Sequence, residues 1–458
     1  MQGAAKDFNV SNIVDERPVQ ALTFLVLGLC FLANVSDGYN LGAVGIAAPG
    51  IVKTLGTTRA AIAPIFSAAL FGMLVGALSA GYLGDRFGRK RGILITTAII
   101  AIGTIGCAYA QTFNQLLALR FVVGVGLGGV LPNVTALMAE FMPKKVRGTF
   151  TTYAFMGITT GGTLPGLVGS QLAPGEWRPL FLVGTLIPLL VLPLVALFLP
   201  ESLKFLTLHP ERHGELRKWL VKLCPDLTVP ANARFVLNET HVDFTFGALF
   251  QQGLKWITPT LWLVYIAIMM VNFFLNSWLP LVLTDIGFTA REAAGTTSLY
   301  YVGGICGGLI MGVALDRLGP AMLGIYALLG CVVAALIGLP GGSAQMTYLL
   351  VGLIGFSVLG AQVGMSAIAG LLYPTAMRSK GAGFAHSIGR LGAISGPLLA
   401  GVLIAKNSSF LTLFLVPVVP LSIAALCFFI ITRVWTGRWR GRGLAGIRQL
   451  QQTDGPKV

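Results

Sequence analysis

Long apolar runs broken by short polar turns set the pattern of this chain. Twelve runs stand out, near residues 21–51, 60–83, 92–111, 114–141, 148–171, 179–199, 259–284, 292–315, 320–340, 345–372, 380–405 and 410–432. Several are about 20 residues or longer, enough as α-helix to cross a hydrocarbon layer of about 30 Å. The pattern predicts an all-α membrane protein with twelve transmembrane helices. A transmembrane β-barrel would show alternating segments of about ten residues instead. The first twenty residues are polar, and the run behind them is too long for the apolar core of a cleaved signal peptide.

The polar residues between the runs say which side each turn faces. An even number of spans puts both termini on one side. The turns assigned to that side carry 25 of the 32 Lys and Arg residues, and the opposite turns carry five: Lys53, Arg59, Arg178, Arg291 and Lys406. This bias predicts both termini and the long loop 200–258 in the cytoplasm. The net charge of +15 is therefore a topology signal and not a nucleic-acid footprint, with the tail RVWTGRWRGRG a candidate for anionic-lipid contact. Only 11% of residues are charged and 55% are hydrophobic, against about 25% charged in a soluble domain. Within the loop, HPERHGELRKWLVKL has the spacing of an amphipathic surface helix lying on the membrane face. The six cysteines show neither a disulfide framework nor metal-ligand spacing.

A tight charged turn, GYLGDRFGRKRG from Gly81 to Gly92, separates the second run from the third. It has a partial echo in GVALDRLGP, Gly312 to Pro320. Shifting the chain by 231 positions superposes Pro49 on Pro280, Gly72 on Gly303, Gly76 on Gly307, and Asp85, Arg86 and Gly88 on Asp316, Arg317 and Gly319. The same shift brings Gly124 onto Gly355, Gly129 onto Gly360, Arg147 onto Arg378 and Gly161 onto Gly392. The implied organisation is a segment 1–20, a six-helix half 21–199, a linker 200–258, a second half 259–432 and a basic tail 433–458. Two parallel six-helix repeats are the pattern of a transporter that rocks about a midplane site.

At these residues the chain resembles the major facilitator superfamily. GYLGDRFGRKR is similar to that family's signature between its second and third helices. Arg120 to Gly129 is similar to its fourth-helix signature, and Glu140, Arg147-Gly148 and Pro200-Glu201-Ser202 complete the set. Within the superfamily, SDGYNLGAVGIAAPGI and SIGRLGAISGPLLAG resemble the bacterial aromatic acid:proton symporters. Many of those carry a second acid where this chain has Asn40, which puts any role of that second acid in doubt here. The resemblance implies a secondary transporter in a bacterial inner membrane, working as a monomer. It would need no cofactor beyond the proton gradient, and its partners would be an aromatic acid, protons and the lipid bilayer.

Several residues stand out as candidates for the chemistry. Asp37 is the acid well inside an apolar run, and burial lets a carboxyl exist neutral in one state and ionised in another. The resemblance gives it a role in uptake, with Arg120 coupled to it; structural pairing is the plainer alternative for both. Arg390, near the middle of the eleventh run, has a planar fork that matches a carboxylate at two points. His386 lies one turn away on the same face. Asn272, Asn276, Tyr300 and Tyr301, with Asn40, are candidates to hold an aromatic ring bearing oxygens, Gln362 being a weaker one. Trp278 reads as part of an interfacial aromatic belt. Asp85, Arg86, Arg89, Glu140, Arg147, Asp316, Arg317 and Arg378 lie at the cytoplasmic boundary and suit gating, with Asp85 placed to face the start of the eleventh helix near 379–383.

The functional expectation is import of a benzoate-like or hydroxybenzoate-like carboxylate with protons. Another carrier on the same fold, for a different organic anion or a sugar, is the first alternative. An efflux antiporter fits less well, since GITTGGTLPG departs from the glycine–proline signature of that class. No nucleotide loop, metal cluster or nucleophile–base set marks an enzyme.

Overall fold

The computed structural model describes residues 7–173, 175–225, 233–237, 246–251, 254–339, 343–373 and 378–439. The tail beyond 439 and the side chains of Asp316 and Arg378 lie outside the described residues. The long helices in chain order are α2 (Ala21–Thr54), α3 (Ala63–Phe87), α4 (Arg89–Tyr109), α5 (Phe113–Phe141), α6 (Arg147–Gly169) and α7 (Arg178–Phe198), after a short α1 (Val10–Glu16). Two short helices, α8 (Leu203–Leu208) and α9 (His213–Leu223), follow. The second set is α10 (Ile257–Asp285), α11 (Ala290–Leu318), α12 (Ala321–Gly338), α13 (Ala344–Leu372), α14 (Arg378–Ala405), and α15 (Phe410–Leu415) with α16 (Val418–Trp439).

Among the described residues, eleven stretches are long and apolar enough to cross a membrane. The twelfth predicted span is α6, 23 residues long, whose six threonines and six glycines dilute its hydropathy. Its length suffices, and the sequence reading of twelve spanning helices holds. Leu78, Ile102 and Leu197 are 73%, 69% and 74% exposed. Apolar side chains that exposed suit a chain whose solvent is hydrocarbon.

The repeat seen in the sequence is a repeat of packing. Gly72 and Gly76 of α3 lie against the backbone of Phe121 and Val125 in α5; Gly303 and Gly307 of α11 lie against Gly352 and Phe356 in α13, 231 residues on in every case. Gly124 meets Ala69 as Gly355 meets Tyr300, and Gly161 meets Val35 as Gly392 meets Ile266. Each glycine sits where a Cβ would overlap a backbone atom of the neighbouring helix, so the small residue sets the crossing distance. The turns repeat too. Gly56 and Gly287 have φ of 60° and 100°, and Gly88 and Gly319 have φ of 97° and 68°, all in the region that favours glycine. Thr112 caps α5 and Ser343 caps α13 at the same offset.

Packing divides the chain into two units. The first comprises Met1–Asn40, Ala68–Gly161 and Arg178–His241. In it α4 packs on α5 and α7, and the segment before α2 pairs with the linker as a parallel two-stranded ribbon, Asp7–Asn9 against Arg234–Val236. The amphipathic helix predicted in the linker is α9, which buries Leu216, Leu220 and Leu223. The second unit comprises Leu41–Ser67, Gly162–Trp177 and Val242–Val458, and is built on α10 against α14, α11 against α13, and α12 against α13 and α16. It takes in the far ends of α2 and α6 along with the helices of the second repeat.

Replacing Gly307 by Val, whose Cβ would run into Phe356, should cost about 1–3 kcal/mol of stability through overpacking. Gly312→Val, where nothing lies within 4 Å, should stay within about 0.5 kcal/mol. Thermal unfolding of the two purified variants in detergent checks the pair.

Candidate functional site

The second unit holds a cluster of polar groups on its central helix. α10 is the most enclosed of the spans, 83% buried over its apolar window. Asn272 and Asn276 are four apart on it, so both amides leave the same face. Tyr300 donates its hydroxyl to Asn272 Oδ1 at 2.8 Å, and Tyr301 donates to Asn276 Oδ1 at 2.7 Å. Adjacent tyrosines point about 100° apart on a helix, and they reach two different asparagines because those stand one turn apart. Asn272 Nδ2 in turn donates to Gln362 Oε1 on α13 at 2.7 Å. All four Asn and Tyr side chains are buried, so each of these bonds avoids a desolvation cost of about 1–3 kcal/mol.

Tyr301 is enclosed more tightly than Tyr300. Gly162 of α6 lies against its ring and Gly42 of α2 near its hydroxyl, while Gly45 lies against the Asn276 carbonyl. Ser298 donates to the Thr163 carbonyl at 2.8 Å, one step further along the same seam. Trp278 differs from its expected place in an interfacial belt: it is only 1% exposed. Its indole N–H donates to Pro397 O at 3.1 Å and its ring meets Phe66 edge-on at 5.4 Å. The burial of α10 on all sides draws that residue into the core. At the ends of the seam Arg59 pairs with Asp285.

α14 carries a nearly buried cation. Arg390 is 9% exposed, and His386 one turn earlier meets the ring of Tyr265 edge-on at 6.1 Å. Gly389 and Gly392 bring α14 onto Tyr265, Met269 and Ile266 of α10. The close approach holds the guanidinium on a helix fixed to the one bearing the asparagines.

The first unit has its own buried polar group. Asp37, Asn40 and Arg120 are 3%, 0% and 0% exposed. Asn40 is fully engaged inside the unit: Nδ2 donates to Ser36 O at 3.1 Å, Oδ1 accepts from Thr104 at 2.7 Å, and its carbonyl accepts from Arg120 Nη2 at 3.2 Å. Arg120 Nε and Nη1 have no hydrogen-bond partner among the described residues. A guanidinium cannot deprotonate to escape burial, so those donors favour any negative charge that comes near.

The charged turns are held by local and longer-range bonds. Asp85 pairs with Arg89, and Arg89 also reaches Asn133 Oδ1 at 3.5 Å. Arg86 donates to the Tyr82 hydroxyl at 3.1 Å. Glu140 accepts from Ser202 Oγ at 2.6 Å and from Lys204 N at 3.2 Å. Arg147 pairs with Asp15 and donates to the Met142 carbonyl. Arg317 is exposed in the last turn of α11. Sequence reasoning missed the acceptor that organises the first turn, Glu201. Its carboxylate takes the Lys90 and Ser202 amide N–H groups, both at 2.9 Å, and lies against Gly88. Glu201 thus acts as the cap of α4 from 111 residues away. Its place in Pro200-Glu201-Ser202 was the available signal, but no local pattern names α4 as its partner.

These features define a class: a multi-pass helical carrier with a packing repeat and polar groups buried along its central helices. The description Major Facilitator Superfamily matches residues 30–363 and 261–445. The gallate transporter of Pseudomonas putida is 35% identical over 425 residues, 91% of this chain and 94% of that protein. The 4-hydroxybenzoate transporter PcaK of Acinetobacter baylyi is 32% identical over 428 residues, 91% and 93% of the two chains. In fold, a crystal structure of a D-xylose-proton symporter aligns with a TM-score of 0.70 at 17% identity, covering 88% of this chain and 97% of that one. The chain belongs to the major facilitator superfamily and is a transporter rather than an enzyme.

Removing the Glu201 carboxylate should free two buried N–H groups, so Glu201→Ala should lose about 1–3 kcal/mol of stability. Glu201→Gln, which keeps an acceptor, should lose less than half of that. Denaturation midpoints in detergent distinguish the two.

Proposed function

We propose that this transporter carries an aromatic carboxylate, benzoate-like or hydroxybenzoate-like, into a bacterial cytoplasm together with protons. The observation that carries the reading is the second unit's combination of a nearly buried Arg390 with amide and phenol groups on α10 and α11. A planar acid needs one charged fork for its carboxylate and polar and aromatic groups for its ring. The relatives' names, which speak of gallate and 4-hydroxybenzoate, point to the same substrate chemistry.

In this reading Arg390 takes the carboxylate, and Asn272, Asn276, Tyr300, Tyr301 and His386 shape the ring site. Asn40 serves the first unit by bracing Arg120. Asp37 takes the proton, and Arg120 is the residue coupled to it. One proton per monovalent acid leaves no net charge to move across the membrane. A second proton would add about 2.3 kcal/mol of drive per 100 mV. The turns at Asp85, Arg86, Arg89, Glu140 and Arg147, and their counterparts Asp316, Arg317 and Arg378, hold the cytoplasmic side closed in one state. The halves 21–199 and 259–432 move as the rocking bodies, with the linker 200–258 between them and both termini in the cytoplasm. The chain works as a monomer in the inner membrane, with the proton gradient in place of a cofactor.

Uptake of labelled 4-hydroxybenzoate and benzoate into proteoliposomes tests the reading. An inward proton gradient should raise accumulation about tenfold or more; gradient-independent uptake would remove proton coupling. Arg390→Ala should lower uptake at least tenfold. Asp37→Asn should abolish accumulation against a gradient while leaving exchange of internal for external substrate.

A further inference from the structure

We infer that Gln362 reads the ring hydroxyl of the substrate, with Asn272 and Tyr300 as positioning residues that hold its amide ready. The inference rests on the aromatic-acid reading above and deepens it.

A chain of hydrogen bonds crosses three helices here, from Tyr300 on α11 through Asn272 on α10 to Gln362 on α13. Tyr300 and Asn272 are 0% and 6% exposed, whereas Gln362 is partly exposed. The chain therefore has a sealed end and an open end. Each donor is spent on the next acceptor, so Oε1 of Gln362 is occupied. Its Nε2 hydrogens have no protein partner among the described residues. The second Asn–Tyr pair, Tyr301 on Asn276, joins two helices, and Gly162 lies against its tyrosine ring. Of the two pairs, the first reaches a third helix through Gln362.

The choice of a hydroxyl follows from the chemistry of the chain. Reversing both amides, with the Tyr300 hydroxyl turned to accept, preserves both hydrogen bonds and presents Gln362 Oε1 in place of Nε2. A phenolic hydroxyl donates and accepts, so it pairs with the open end in either direction. A carboxylate only accepts and pairs with one direction alone. The carboxylate also has a better partner in Arg390, whose charge-assisted bonds are roughly twice as strong as neutral ones. A neutral amide fixed by two buried groups is suited to distinguish a hydroxylated ring from a bare one. Such discrimination arises because the unpaired polar group penalises the ligand that lacks the hydroxyl.

The test uses the full-length transporter in proteoliposomes under an inward proton gradient. KM is measured for 4-hydroxybenzoate and for benzoate, or an inhibition constant for whichever of the two is not carried. The wild type should prefer the hydroxylated acid, and Gln362→Leu should reduce that preference about five- to tenfold. Tyr300→Phe keeps the glutamine but cuts its support, and should reduce the preference about two- to threefold. A purely structural role for Tyr300 would alter both acids alike and leave the ratio untouched. A ratio within twofold of wild type in Gln362→Leu overturns the inference. Should that variant not reach the membrane, an unchanged ratio in Tyr300→Phe overturns it instead. A wild type that prefers benzoate also overturns it, with the aromatic-acid reading intact. Recognition of neither acid overturns that reading and this inference together.

Discussion

Helices surrounded by hydrocarbon gain nothing from hiding apolar side chains from lipid, since lipid is as apolar as they are. They must instead be held by close backbone approach and by polar bonds, and this chain obtains the first from glycine. Gly76 on Val125 and Gly307 on Phe356 bring two helices together in each repeat at a distance that any larger residue would forbid. Gly161 on Val35 and Gly392 on Ile266 do the same for the helix pairs that carry Asp37 and Arg390. Those crossings position both candidate chemical groups. A looser crossing would let the charged side chains move by ångströms, and a site that binds by direction needs them fixed within fractions of one.

The same solvent makes every buried polar group expensive. Asn40 resolves this by spending its amide and carbonyl on Ser36, Thr104 and Arg120. Tyr301 spends its hydroxyl on Asn276 Oδ1, with Gly162 against its ring. Other polar groups differ in kind: Arg390 carries charge, Gln362 carries an oriented amide, and Arg120 carries donors without protein partners among the described residues.

Much of the architecture was legible in the sequence because it is governed by local rules that recur. Apolar length predicted the spans, and a constant offset of 231 predicted which glycines would pack alike. The offset works because many of the positions it matches are backbone contacts and positive-φ turns, as at Gly88 and Gly319, where glycine is favoured. What the sequence hid is partner choice across distance. Glu201 caps α4, Asp15 pairs with Arg147, and Trp278 bonds to Pro397 inside the core. None of these follows from spacing, because each joins elements whose adjacency is a consequence of the whole fold. For Asn272 and Gln362, the residue types showed polarity without direction, and direction is what separates a support from a contact.

The neighbouring glycines of α6 carry the remaining step. Gly161 lies on Val35 in the first unit, and its contact has a twin 231 residues on. Gly162, one residue later, lies on Tyr301 in the second unit. A contact that recurs at the same offset is a feature of the repeat itself. The seam around Gly162 is of another kind, since it joins first-repeat segments to second-repeat helices. It includes the Gly162–Tyr301 approach, the Phe66–Trp278 ring contact, a Ser298 bond to Thr163, a Ser67 bond to Ile394, and the Arg59–Asp285 pair. Hydrogen bonds of this sort are worth about 0.5–1.5 kcal/mol each, and an exposed ion pair less than about 1 kcal/mol. A seam so composed is held by individually weak contacts, unlike the backbone crossings at Gly161 and Gly392.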